Sequence, residues 1–173
     1  FYGCLVGSEM CIRDRALAVK PEFLVCDEAV ASLDVSIQAQ ILNLFMDLKE
    51  RLGLTYLFIS HDLKVVRFLS DRIVIMYLGR VVESAATESL FAAPNHPYTR
   101  ALIDQIPEMD GRRHQFRPVE GEIPTPLVPP AGCHFHPRCP AAGPRCRTEV
   151  PALRPIADGH LSACHLNDAG GVA

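Results

Sequence analysis

Two short apolar runs, each closed by acids or a histidine, flank the strongest helical pattern in the chain, and that order restricts the fold more than any other feature. Glu22 to Asp27 (EFLVCD) and Leu54 to Ser60 (LTYLFIS) read as buried strands. Between them Asp34 stands where it can cap a helix. Ile37, Ile41, Leu44, Phe45, Leu48 and Leu52 then recur at steps of three and four, sharing one face until Gly53 supplies a stop. Asp62 to Leu69 reads as a short helix, Arg72 to Leu78 (RIVIMYL) as a third strand, and Gly79 as a tight turn into Arg80 to Glu83. Strand and helix in alternation predict an α/β fold: a parallel sheet with flanking helices and right-handed crossovers. The carboxyl ends of its strands then share one rim, where ligands bind.

Composition narrows the function. The chain has 173 residues, 49% hydrophobic and 21% charged, which is the globular range, with room for one ordinary core and an appendage. A formal charge of −3 and no Lys/Arg-rich run leave no basic footprint for phosphates, so nucleic acid is not an expected partner. The apolar runs fall far short of the ~20 residues a membrane-spanning helix needs, so membrane association is expected to be peripheral. The opening segment lacks the basic start and long apolar stretch of a signal peptide. The seven cysteines are therefore read in a reducing compartment, where clustered thiols bind metal more often than they form disulfides.

On the predicted rim, Asp27 and Glu28 end the first strand and Ser60-His61-Asp62 ends the second. Paired acids at a strand end suit phosphate chemistry, since one can hold Mg2+ while the other takes a proton from an attacking water. A histidine beside them can sense a terminal phosphate. The plainer alternative is that the acids cap a strand and His61 precedes a helix capped by Asp62.

Taken together, FLVCDEAVASLD followed by FISHD resembles the Walker B, D-loop and switch-histidine series of ABC ATPases. The resemblance implies that Asp27 positions Mg2+, that Glu28 polarises the hydrolytic water, and that His61 contacts the γ-phosphate of ATP. Ser32, Leu33 and Asp34 resemble the D-loop, which meets the opposite subunit across bound nucleotide. Ala29 stands where that family generally has proline, and Ala31-Ser32 shows serine and alanine exchanged, departures expected to alter loop rigidity and not chemistry. No GxxxxGK[ST] loop, LSGGQ signature or glutamine loop occurs in the chain, so this polypeptide is expected not to bind ATP usefully by itself. Arg15-Ala16-Leu17 resembles the helix that follows the signature, and residues 1–14 (FYGCLVGSEMCIRD) read as a foreign segment similar to translated sequencing-adaptor sequence.

Beyond residue 107 the texture changes. Of the 14 prolines, all but Pro21, Pro94 and Pro97 fall between Pro107 and Pro155, and no apolar periodicity survives. Such a tail needs another source of order. Cys133, Cys139, Cys146 and Cys164 form a possible four-thiolate set that suits an iron-sulfur cluster or tetrahedral zinc. His134, His136, His160 and His165 adjoin it and keep mixed Cys/His zinc open. His96-Pro97-Tyr98-Thr99 resembles the HPYT segment of ATP-binding subunits from dipeptide, oligopeptide and related nickel importers, whose tails carry a [4Fe-4S] cluster on cysteines so arranged. That resemblance favours the cluster over zinc.

It also implies a second ATP-binding subunit, two transmembrane permease subunits and, indirectly, an extracytoplasmic peptide-binding protein. The implied location is peripheral, on the cytoplasmic face of the inner membrane. The expected organisation is a foreign segment at 1–14, the C-terminal part of an ABC ATPase domain at 15–93, and an irregular, proline-rich, cysteine-containing extension at 94–173. The rival from a different class is a non-catalytic metal-binding module used in assembly or redox sensing. Dipeptide, oligopeptide and nickel all stay open as cargo.

Overall fold

The computed structural model describes residues 17–31, 33–106 and 121–168. The foreign-looking segment at 1–14 and Ser32 lie outside the described residues. The chain divides into two compact units, Phe1–Leu69 and Ser70–Ala173.

In the first unit, β1 (Phe23–Asp27) and β2 (Thr55–Ile59) pair in parallel, with Phe23 opposite Thr55 and Asp27 opposite Ile59. The crossover between them contains α1 (Val35–Leu52), and α2 (Leu63–Leu69) follows β2. Period-two alternation decides what each strand buries. Leu24, Cys26, Tyr56 and Phe58 join the helices in a cluster with Val30, Leu42, Phe45, Val65 and Leu69. Phe45 meets the rings of Tyr56 and Phe58 edge-on, with centroids 5.6 and 5.9 Å away, a favoured aromatic geometry.

The opposite face carries Phe23, Val25, Leu57 and Ile59, which are 45–54% exposed. The strands were expected to be buried on both sides; helices cover only one side among the described residues. Of the stripe expected on α1, Phe45 is buried and Ile37 and Leu52 are exposed, while Leu42, outside that stripe, is buried as well. Gly53 ends α1 as expected, in the left-handed region at φ 65°. Asp34 occupies the N-cap position, but its side chain makes no capping bond; only its carbonyl accepts from Gln38 N–H at 2.8 Å.

The second unit holds a four-stranded sheet in the order β3-β4-β6-β5, built from β3 (Arg72–Tyr77), β4 (Arg80–Ala86), β5 (Arg154–Ala157) and β6 (His160–Ser162). All its pairings are antiparallel. The third strand thus departs from the parallel series expected for it. The tight turn expected at Gly79 does form: Leu78 and Gly79, at φ 43° and 76°, make a two-residue loop between Tyr77 and its partner Arg80. Positive φ at both central positions is the requirement of a type I′ hairpin turn, which sends the chain straight back. Leucine is a costly residue there, since the left-handed region costs an L side chain about 1–2 kcal/mol. Leu78→Asn is therefore expected to stabilise the chain by about 1 kcal/mol, read as a higher urea midpoint at unchanged slope.

Two short helices follow, α3 (Thr87–Ala92) and α4 (Pro97–Ile103). Proline sits in the first turn of α4, and His96 caps it by accepting the Tyr98 N–H on Nδ1 at 3.1 Å. The tail at 121–168 is less irregular than its composition suggests. Two 3-10 turns (His136–Arg138 and Pro144–Arg147) precede the β5–β6 hairpin, which extends the sheet through β4, and a third (His165–Asn167) follows it. It also reaches a core: Phe135, 1% exposed, packs against the rings of Tyr77, Tyr98 and His96 at 5.2, 5.3 and 5.8 Å.

Candidate functional site

Parallel pairing in the first unit puts the ends of β1 and β2 on one rim. Asp27, the last residue of β1, lies opposite Ile59, and the ladder runs one step further through Glu28 N–H to Ile59 C=O at 2.9 Å. Glu28 then takes φ 50°. A non-glycine residue in that region carries strain of order 1 kcal/mol or more, and such residues gather at functional sites. The turn is fixed by Ala31 N–H donating to Glu28 C=O at 3.1 Å.

From β2, Ser60 Oγ accepts the Asp62 N–H at 3.1 Å, and Asp62 Oδ1 accepts the Lys64 N–H at 2.8 Å, fixing the entry to α2. His61 is held between them. Its Nδ1 stands 3.0 Å from both carboxylate oxygens of Glu28, with the imidazole side chain 77% and the carboxylate 42% exposed. The structure thus joins Glu28 to His61, sets the exposed Asp27 beside them at the strand end, and leaves Asp34 at the start of α1.

The hydrogen bond to Glu28, helped by the charges of Glu28 and Asp62, raises the His61 pKa above the ordinary imidazole value. The sign follows directly. The charged pair is fully formed below the unfolded imidazole pKa and fades as pH rises through the raised folded one. In an NMR titration the His61 midpoint is expected above that of an ordinary imidazole, and to drop back toward it in Glu28→Gln. A midpoint that does not move between the two proteins would refute the contact in solution.

In the second unit, Cys133, Cys139, Cys146 and Cys164 are free and partly buried. Their loops touch, since Cys133 N–H donates to Cys146 C=O at 2.9 Å. Burial pushes the thiols of Cys133, Cys139 and Cys164 up, that of Cys164 to about 11, and for each the neighbouring cysteines add to the rise. Backbone N–H groups work the other way: those of Phe135 and His136 donate to Cys133, that of Ala141 to Cys139 and that of Leu166 to Cys164. Among the described residues no three His, Cys, Asp or Glu side chains form a group that could hold a metal ion. The expectation of an iron-sulfur cluster or zinc on these cysteines therefore finds no support in this geometry, nor does the rival reading as a metal-binding module. The tail's order comes from the Phe135 cluster and the sheet. Cys26 is core, as expected, 6% exposed and with its thiol raised by burial to about 11.

Two polar centres escaped sequence reasoning. Glu83, wholly buried, accepts from Asn95 N–H at 2.7 Å, His96 N–H at 2.8 Å and His160 Nε2 at 2.7 Å. The available signal was a carboxylate on the core side of a short apolar strand, a placement that demands partners. Burial drives the neighbouring His96 pKa down to about 4, so that ring is neutral at pH 7. The second centre is Asp168, its side chain 15% exposed, which accepts from Arg145 at 2.7 Å, Arg154 at 2.9 Å and His165 at 3.3 Å. These donors hold its carboxyl below the usual carboxylate range.

Residues 82–146 match the family described as the oligopeptide/dipeptide transporter, C-terminal region. The chain is 56% identical over 153 residues to a protein of Sinorhizobium fredii named as a probable peptide ABC transporter ATP-binding protein, covering 88% of this chain and 43% of that one. It is 48% identical over 155 residues to the oligopeptide transport ATP-binding protein AppF of Bacillus subtilis, covering 88% and 47% respectively. The chain spans less than half the length of these curated relatives. Among the described residues no helix is long and apolar enough to cross a membrane. With the HPYT segment inside the matched region and the acid–histidine rim upstream of it, the chain belongs to the family of peptide ABC transporter ATP-binding proteins.

Proposed function

We propose that this chain forms part of the energy-coupling subunit of a peptide importer, and that the Glu28–His61 rim is its half of an ATP-hydrolysing site. The single observation behind the reading is the 3.0 Å contact between Glu28 and His61 at the shared end of two parallel strands. Glu28 is exposed enough to reach a water and has a carboxylate that can accept its proton. His61 carries a proton that Glu28 stabilises, which suits it to meet a phosphate oxygen. Asp27 is the residue that would hold Mg2+, an ion commonly bound through one or two carboxylates together with substrate phosphates, where it supplies charge neutralisation. Asp34 and, by the resemblance of the loop sequence, Ser32 are assigned to contact with a second ATP-binding subunit. Permease subunits and a peptide-binding protein complete the assembly, with this subunit on the cytoplasmic side of the membrane. Residues 1–14 are foreign to it, 15–93 belong to the ATPase domain and 94–173 to the importer-specific extension. ATP turnover by a version of the relatives' length, with and without Glu28, is the test.

The same proposal assigns a [4Fe-4S] cluster to Cys133, Cys139, Cys146 and Cys164. A cluster takes each thiolate on its own iron, so its ligands need not crowd a single ion as zinc ligands do. Supporting it are the 2.9 Å bond from Cys133 N–H to Cys146 C=O, which brings two of the cysteine loops together, and the backbone N–H groups donated to the sulfurs of Cys133, Cys139 and Cys164, a feature that tunes such centres. When bound, the cluster would cross-link the tail.

A further inference from the structure

We propose that Gly132 and Asp168 are positioning residues that hold the cysteine-bearing loops of the tail against one another before any metal arrives. The inference rests on the cluster reading for its purpose, but its geometry stands apart from it. Gly132 lies at φ 68°, and a Cβ there would come 2.5 Å from Cys146 C=O and within 2.8–2.9 Å of backbone atoms of Arg147 and Thr148. Only a residue without a side chain lets the Cys133 loop lie against the Cys146 loop and form the 2.9 Å bond between them. The obstruction is backbone, so no side-chain rotation relieves it.

Asp168 joins the other pair. Arg145 directly precedes Cys146 and His165 directly follows Cys164, and both donate to the same carboxylate oxygen, Oδ2. Arg154 from β5 holds the second oxygen. His165 also reaches Glu149 C=O through Nε2 at 3.0 Å, and Glu149 is bonded in turn to Arg145 at 2.7 Å. The carboxylate therefore closes a ring of contacts around two cysteine-bearing turns. Cys139 needs no separate clamp, because the turn at His136–Arg138 connects it to Cys133 through His136 N–H donating to Cys133 C=O at 3.0 Å.

The experiment uses the full chain, metal-free, with Cys4→Ser and Cys11→Ser, so that the only other thiol is the buried Cys26. Phenylarsine oxide, which binds tightly where thiols stand together, is the first probe. Native sequence at the remaining positions is expected to bind it, and Gly132→Ala and Asp168→Ala each to weaken that binding by about tenfold or more, the scale on which supporting residues act at metal sites. Asp168→Ala is expected to melt close to its parent, since its partners Arg145 and Arg154 are 49% and 59% exposed and can be solvated when the carboxylate is gone; that separates positioning from a general loss of structure. Anaerobic reconstitution with iron and sulfide is the second probe, and cluster content is expected to fall in the same two variants. Absence of arsenical binding in the parent, or equal binding in both variants, overturns the positioning role. A parent that binds arsenical but takes up no iron overturns the cluster alone.

Discussion

Glu28→Gln, placed in a version of the relatives' full length, is expected to lower the kcat of ATP hydrolysis by about 100-fold or more, the scale of a lost general base. Glutamine keeps the size of the side chain and an oxygen that can still accept from His61, so the rim retains its shape. It loses the ability to take a proton from water. Binding of Mg-ATP should survive, because Asp27 and the rest of the rim are unchanged, and the defect should therefore appear in kcat and not in nucleotide affinity. Full turnover in the variant would reduce Glu28 to a strained strand end and remove the catalytic reading with it.

The second large effect concerns folding. Glu83→Ala removes one carboxylate from three donors at once and leaves the Asn95 and His96 N–H groups and the His160 ring without an acceptor in a site closed to water. Leaving a buried donor without its acceptor costs about 1–3 kcal/mol, and three donors lose theirs at once, enough to unfold much of a domain of ordinary stability. Glu83→Gln should cost less, since its carbonyl can still accept while its amide opposes a donor. With no tryptophan in the chain, the transition can be followed by tyrosine fluorescence in urea, Tyr77 and Tyr98 lying beside the affected segment. A loss below about 1 kcal/mol, the range of one ordinary hydrogen bond, would mean the node is relaxed in solution.

How much was legible depended on whether the signal was local. The first two strands, α1 and α2 follow from periodicity and cap chemistry, which act within a few residues. The meeting of Glu28 and His61 was also accessible, because a parallel crossover fixes which strand ends coincide. Asp34 kept its place but not its bond, since side-chain capping depends on a rotamer the pattern does not carry. The hairpin after β3 was legible at Gly79, but the sheet that β3 joins was not, since β3-β4-β6-β5 includes strands from the far end of the chain. Glu83, Gly132 and Asp168 were hidden for a different reason. Each draws its role from residues far along the chain, and a single sequence shows neither the buried partner of Glu83 nor the backbone pressed against Gly132.

The pairing of Glu83 with His160 has a consequence for biosynthesis. The two side chains are 77 positions apart, so a nascent polypeptide emerging from the ribosome carries the HPYT helix, whose entry supplies only two of the three donors to the carboxylate, long before the imidazole is made. Closing so long a loop is the slow, entropically costly kind of contact. The second unit is thus built to consolidate only after translation has passed residue 160, and shortening the gene at its 3′ end should be tolerated far less well than its coil-like composition implies.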